Sequence, residues 1–313
     1  MRSTEDSRIL LIAIVGPTAI GKTELAIEVA ERHRGEIVGA DSRQVYRGLD
    51  IGTGKPSAGE RARVPHHLID VVNPGEEFSV ALFQRLASQA IVEIHGRGRL
   101  PVLVGGTGHW VWALLKGFRL PQVPPNEALR SELYSVGNEA DGVERLNTML
   151  RDLDPVAAQR IDPRNIRRVV RAIEVTRTLG VPFSQVATAE PPPYRPLVIG
   201  LTASREVMDQ RIDARVEAMF AAGWVDEVRG LLAGGCKPDL PSLSGLGYPV
   251  IVRHLEGDLS LAEAIEQVKR ETRRFARRQY QWFRPSDEAI RWIDITKEPL
   301  REAEEAIRAW MAG

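Results

Sequence analysis

The chain has 313 residues, room for one large domain or two ordinary ones with an ample core. Basic and acidic residues balance at 42 each, so any nucleic-acid surface must be local rather than global. Cys236 is the only cysteine, which excludes an intrachain disulfide or a cysteine metal cluster and fits a reducing compartment. No apolar run approaches the roughly 18 residues of a membrane span. Glu5 and Asp6 precede an apolar run of strand length, which argues against a signal or transit peptide, so the expected location is the cytoplasm.

The first apolar run, Ile9 to Val15, predicts a buried strand, and Leu25, Ala26, Val29 and Ala30 recur at helical spacing after it. Between them stands Gly16-Pro17-Thr18-Ala19-Ile20-Gly21-Lys22-Thr23, which fits G-x-x-x-x-G-K-S/T in the strand–loop–helix context of a phosphate-binding P-loop. Glycines there let backbone N–H groups turn inward around an anion, and the helix start adds its positive end. Lys22 is placed to reach the outer phosphate oxygens, and the Thr23 hydroxyl to help hold Mg²⁺.

Glu36 to Ser42 reads as a second parallel strand with Asp41 at its C-terminal end, where open α/β sheets bind ligands. Asp41 therefore faces the P-loop ligand or serves as a turn aspartate. The polar, glycine-rich stretch Gln44 to Pro56 reads as a long loop over the site. Pro65 to Val71 is a third short strand candidate, and its pair His66-His67 lacks further His or Cys at metal-ligand spacing. Phe78 to Ile94 has the pattern of an amphipathic helix, and Leu100 to Val104 that of another strand. That strand ends in Gly105-Gly106-Thr107-Gly108, where a P-loop hydrolase usually carries a carboxylate for Mg²⁺ and water.

Near residue 117 the character changes. Leu120 to Pro125 is a stiff exit, Asn126 is a candidate N-cap, and the sequence then reads as helical to about Ser184. Pro191-Pro192-Pro193 leads back to a strand at Leu197–Leu201. The expected fold is α/β, a P-loop NTPase-like parallel sheet flanked by helices, with residues 1–118 and 194–313 as its core. An all-helical insertion occupies 119–193. Arg164, Arg168 and Arg171 share a face of its last helix, either a solvated surface or a phosphate contact. Met208 to Leu232 reads as one helix, and helices follow from Leu261 to Phe283. The last of these carries Arg270, Arg273, Arg274, Arg277, Arg278 and Arg284, interleaved with Phe275, Tyr280, Trp282 and Phe283. Such a mixture suits a strand of nucleic acid, with phosphates on arginines and bases on rings, and the rings fit a core equally well. Ile290 to Ile295 adds a final strand before a C-terminal helix.

Residues 16–23, 41–56, 65–70, 103–108, 162–168 and 277–284 together resemble the tRNA dimethylallyltransferase family, in order, from residue 9 to about 284. The resemblance implies transfer of a dimethylallyl group from dimethylallyl diphosphate to N6 of adenosine 37, beside the anticodon, in tRNAs reading codons that begin with U. It implies that residues 16–23 cradle the diphosphate with Mg²⁺ and that Asp41 is the general base. Asp41, Ser42, Arg43, Gln44 and Thr107 then lie against the flipped base, and Arg215 neutralises the leaving diphosphate. The tRNA anticodon loop would meet Arg130, Arg164, Asn165, Ile166, Arg167, Arg168, Gly245, Gly247, Tyr248, Arg277, Arg278, Gln279 and Arg284. The chain is expected to act as a monomer away from membranes. Gly54 departs from the commoner alanine, and residues 245–249 lack the polar residue that often follows the tyrosine. The chemistry suits the motifs: the N6 lone pair is delocalised, so transfer needs strong leaving-group stabilisation and a base within reach. A small-molecule P-loop kinase shares the cradle and is the first rival; a prenyltransferase acting on free adenosine phosphates and a non-catalytic RNA-binding module are weaker ones.

Overall fold

The computed structural model describes residues 8–312; Glu5 and Asp6 lie outside them. The chain divides into two compact units, one running to Leu115 and resuming at Pro193, the other Lys116–Pro192.

In the first unit, β1 (Ile9–Val15), α1 (Lys22–Arg32), β2 (Gly35–Gly39), α2 (Ala58–Arg63), β3 (His66–His67), α3 (Val80–Gly96), β4 (Leu100–Gly105) and α4 (Gly108–Leu115) come first. The second unit holds α5 (Glu127–Gly137), α6 (Gly142–Leu153), α7 (Pro155–Arg160), α8 (Ile166–Leu179) and α9 (Phe183–Val186). The first unit then resumes with β5 (Tyr194–Thr202), α10 (Arg205–Ala221), α11 (Trp224–Ala233), α12 (Tyr248–Leu255), α13 (Leu261–Gln279), β6 (Ile290–Asp294) and α14 (Pro299–Ala312).

The six strands form one sheet, all parallel, in the order β3-β2-β4-β1-β5-β6. Strands of a parallel sheet are covered on both faces, which is why β1 and β4 are near-continuous apolar runs rather than alternating ones. The helices α1 and α3 pack on β2 and β4, and α14 on β5 and β6. Register sets Val15 beside Gly105 and Gly200, and Gly39 beside Val104. The C-terminal ends of β1, β2, β4 and β5 therefore open along one edge of the sheet, where ligands of such sheets bind.

The helical unit closes over Leu133, Leu146, Leu150, Ala157, Val169, Val170 and Ile173. Inside it Glu174 is fully buried and accepts from Arg130, Arg171 and the Asn126 N–H.

Three expectations change. The third strand shrinks to His66–His67, because Leu68 (φ 63) and Asp70 (φ 56) turn the chain through the left-handed region. The helix expected from Met208 to Leu232 is two helices, broken at Gly223 (φ 96). The arginine face at 164, 168 and 171 does not form. Asn165 caps α8, so Arg164 precedes it, while Arg171 turns inward to Glu174 and the Val123 carbonyl.

Candidate active site

The P-loop leaves β1 at Gly16 (φ 141), where a Cβ would sit 2.8 Å from the Leu201 carbonyl of β5. Ala19 (φ 64) and Gly21 (φ 99) complete the turn before α1 opens at Lys22. This geometry gathers backbone N–H groups at the positive end of a helix. Arg211 Nε donates to the Ala19 carbonyl at 2.9 Å and braces a non-glycine residue held at positive φ. Lys22 Nζ donates to the Pro17 carbonyl at 2.7 Å. Burial draws the Lys22 pKa down to about 7; the Asp41 carboxylate opposes the fall and Arg215 adds to it.

Beyond β2 the chain makes a tight turn. Asp41 Oδ1 accepts the N–H groups of Arg43 at 2.8 Å and Gln44 at 3.4 Å, so the turn role is realised at this oxygen. Among the described residues no hydrogen bond falls on Oδ2. The Asp41 charge acts on both Lys22 and Arg215, which sets the carboxylate beside the cradle. Thr107 Oγ1 accepts the Ser42 N–H at 3.1 Å and ties the end of β4 to the end of β2. Gln279, the last residue of α13, reaches in behind them. Its Oε1 accepts the Thr18 N–H and its Nε2 donates to the Gly106 carbonyl, each at 2.8 Å.

The loop from Gln44 to Pro56 folds over this ground. Gln44 Nε2 donates to the carbonyls of Thr53 and Gly54 at 3.2 and 3.1 Å. Lys55, its side chain 2% exposed, places its three donors at 2.6 Å on the Tyr46 carbonyl and Asp50 within the loop and on Asp70 beyond β3. Gly54 (φ 59) lies so close to Arg215 that a Cβ would fall 1.8 Å from Nη2. In this chain the glycine makes room for the guanidinium. Burial lowers the Arg215 pKa from its ordinary value, and Asp41 partly restores it.

The histidine pair is used for structure: His66 Nδ1 meets the Val64 carbonyl, and His67 Nε2 lies 2.7 Å from Glu36. What collects at the sheet edge is the P-loop with Lys22, the Arg215 guanidinium, the Asp41 carboxylate and the Thr107 hydroxyl.

Two family models match the chain, IPP transferase over residues 44–286 and Isopentenyl transferase over 9–69. The chain is 51% identical over 298 residues to a tRNA dimethylallyltransferase of Roseiflexus castenholzii, covering 95% of this chain and 97% of that one. The chain belongs to the IPP transferase family.

Two solved structures carry the same fold. The full-length tRNA isopentenylpyrophosphate transferase of Bacillus halodurans superposes with a TM-score of 0.71 at 42% identity, over 96% of each chain. A eukaryotic dimethylallyltransferase acting on tRNA gives 0.75 at 25% identity, over 96% of this chain and 78% of that one.

Against the family pattern, the residues expected at tRNA divide by exposure. In this IPP transferase Arg164, Asn165, Arg167, Arg168, Arg277, Arg278 and Arg284 are exposed, with Arg164 paired to Asp162, and Ile166 is half-buried. Tyr248 and Gln279 are buried and direct their polar atoms to Glu227, Thr18 and Gly106. Gly245 and Gly247 are buried beside Tyr248. Arg130 forks onto Glu174, and Arg43 is held by Pro241, Ser242 and Ser244. Of the aromatics on the arginine-rich stretch, Phe283 is core and Trp282 is exposed, stacked against His109 at 5.8 Å. Sequence reading missed Arg211, although it stands one helical turn before Arg215, and the lysine clamp of Lys55.

Proposed function

We infer that this IPP transferase moves a dimethylallyl group from dimethylallyl diphosphate to N6 of adenosine 37 in tRNAs that read codons beginning with U, releasing diphosphate. The observation that carries the reading is the convergence of an intact P-loop, Asp41 and Arg215 in a chain that matches its named relative almost end to end.

The residues divide the work. The backbone N–H groups of the P-loop, Lys22 and Arg215 hold the diphosphate and stabilise the charge that gathers on it as the C–O bond to the allyl group breaks. The flipped adenine lies against Ser42, Gln44 and Thr107, having left its stack at a cost of a few kcal/mol. As N6 forms its bond to the allylic carbon, Asp41 Oδ2 takes the N6 proton. Mg²⁺ takes few ligands from protein where phosphate oxygens supply the rest. The Thr23 hydroxyl, beside Lys22 in the first turn of α1, suits that donor set, and the diphosphate oxygens would complete it. When bound there, the ion supplies Lewis-acid stabilisation of the leaving diphosphate. The exposed arginines near α8 and on α13 grip the tRNA backbone.

No helix among the described residues is long and apolar enough to cross a membrane. The enzyme acts as a monomer on cytoplasmic tRNA, in keeping with its single cysteine. A P-loop small-molecule kinase shares the cradle, and the family match is against it. The test is a paired incubation of unmodified tRNA with Mg²⁺ and either dimethylallyl diphosphate or ATP, followed by mass spectrometry of the digested RNA. A dimethylallyl mark on adenosine 37 with diphosphate release is expected. No mark in the first tube, and ADP in the second, would return the kinase reading.

A further inference from the structure

The loop that seats Arg215 and Gln44 is fastened at its far end by a single carboxylate. Glu227, in the first turns of α11, accepts three successive backbone N–H groups: Asp50 at 2.8 Å, Ile51 at 2.6 Å and Gly52 at 3.2 Å. Its fourth partner is the Tyr248 hydroxyl, which donates to Oε1 at 2.8 Å. Three adjacent amides pointing at one site make an anion nest, and here a side chain from about 175 residues away fills it. Charge-assisted bonds of this kind are the strong ones.

The surroundings fit the same purpose. Trp224, one turn before Glu227, is buried between two glycines: a Cβ at Gly52 would fall 2.1 Å from its Nε1, and one at Gly247 2.1 Å from its Cη2. Tyr248 meets the indole edge-on at 5.6 Å. Burial, then the Glu227 carboxylate, push the Tyr248 phenol well above its ordinary pKa, so it remains a donor. Gly247 and Tyr248 thus back the loop from behind. From the fastened amides the chain runs two residues to the Thr53 and Gly54 carbonyls that hold Gln44, and to the Gly54 backbone that abuts Arg215.

We propose that Glu227 is a positioning residue for the transfer reaction, setting Arg215 and Gln44 through the backbone of residues 50–54. The proposal rests on the transferase reading above, and its test separates the two. The variants are Glu227→Gln, which keeps one acceptor oxygen, Glu227→Ala, which keeps none, and Tyr248→Phe, which leaves the carboxylate on its three amides. Each is checked by thermal unfolding. The first readout is hydrogen exchange of the peptide spanning 48–56 in the free enzyme. The second is the affinity for inorganic diphosphate with Mg²⁺, which needs no tRNA. The third is kcat against KM for tRNA.

The expected order of effect is Ala, then Gln, then Phe. In Glu227→Ala, exchange in 48–56 rises at least about tenfold while that of the P-loop peptide is unchanged. Diphosphate affinity falls about tenfold, the scale of one impaired charged contact. The turnover kcat falls about tenfold or more with KM for tRNA within about threefold, because the loss is at the reacting centre. Glu227→Gln is intermediate, and Tyr248→Phe stays within about threefold of wild type in kcat. A folded Glu227→Ala whose loop exchanges faster, with diphosphate affinity and kcat unchanged, would overturn the proposal and leave a purely structural clamp. Unchanged exchange would overturn it as well. A wild-type enzyme that binds diphosphate and never prenylates tRNA would instead count against the transferase reading, while the exchange and diphosphate arms still judge Glu227.

Discussion

At the Nζ of Lys22, burial and charge pull in opposite directions. Burial disfavours the ammonium, Asp41 favours it and Arg215 disfavours it, and the balance leaves the pKa at about 7 against an ordinary 10.5. On the proposed reading, a bound diphosphate would add negative charge at the same point and restore the proton. With its pKa lowered to about 7, the free Lys22 loses its proton as the pH rises through that region, so diphosphate binding above it is expected to take up a proton. Affinity for dimethylallyl diphosphate should therefore fall as pH rises from 7 to 9, at up to about tenfold per unit. Calorimetry at pH 8 in buffers of different ionisation enthalpy reads this directly. Close to one proton is taken up by the wild type and close to none by Lys22→Met; equal uptake in both would place the titration elsewhere. Gln279 shows a different kind of residue. The sequence sets it in an arginine-rich run that suits RNA, yet its amide bridges Thr18 and Gly106, 261 and 173 positions away. No local pattern reports a partner at that distance.

Helices show the same limit in the second unit. The spacing of Arg164, Arg168 and Arg171 suggested one basic face, but a face requires that all three lie on the helix and point outward. Asn165 caps α8 after Arg164, and Arg171 bends back to the buried Glu174 three residues on. Arg130, expected at tRNA, forks onto the same carboxylate at 2.9 and 3.0 Å. Removing the acid strands two guanidinium groups that are 27% and 32% exposed, so the cost lies below that of breaking a fully buried pair, about 3–5 kcal/mol. Glu174→Ala should thus lower the unfolding midpoint in urea sharply, and Arg130→Ala should do so to a lesser degree. Urea titration followed by circular dichroism checks both. An Arg130→Ala enzyme with unchanged unfolding and weakened tRNA binding would restore the contact role. What was legible here is the helical character of 126–184 and the cap at Asn126; which arginines face inward depends on packing between helices.

Across the whole core, the parallel sheet does the gathering. Segments 16–23, 41–44 and 105–107 come from three strands that are adjacent in the order β2-β4-β1, so their loops emerge side by side. That much was readable, because buried parallel strands are continuous apolar runs and their C-terminal ends are where glycines, carboxylates and hydroxyls cluster. The supports of the site were not readable. Arg211 under Ala19 and Glu227 under residues 50–52 join segments that only the folded chain brings together. On the proposed transferase reading, Asp41 takes the proton and the rest of the cluster holds and places the diphosphate. The most direct test is Asp41→Ala, measured for single-turnover prenylation and for tRNA affinity in parallel. Transfer should fall about 10²–10⁴-fold, the range of a lost general base, with the tRNA Kd within about threefold of wild type. Transfer retained near the wild-type rate, with tRNA binding lost, would contradict the account and make Asp41 a binding residue.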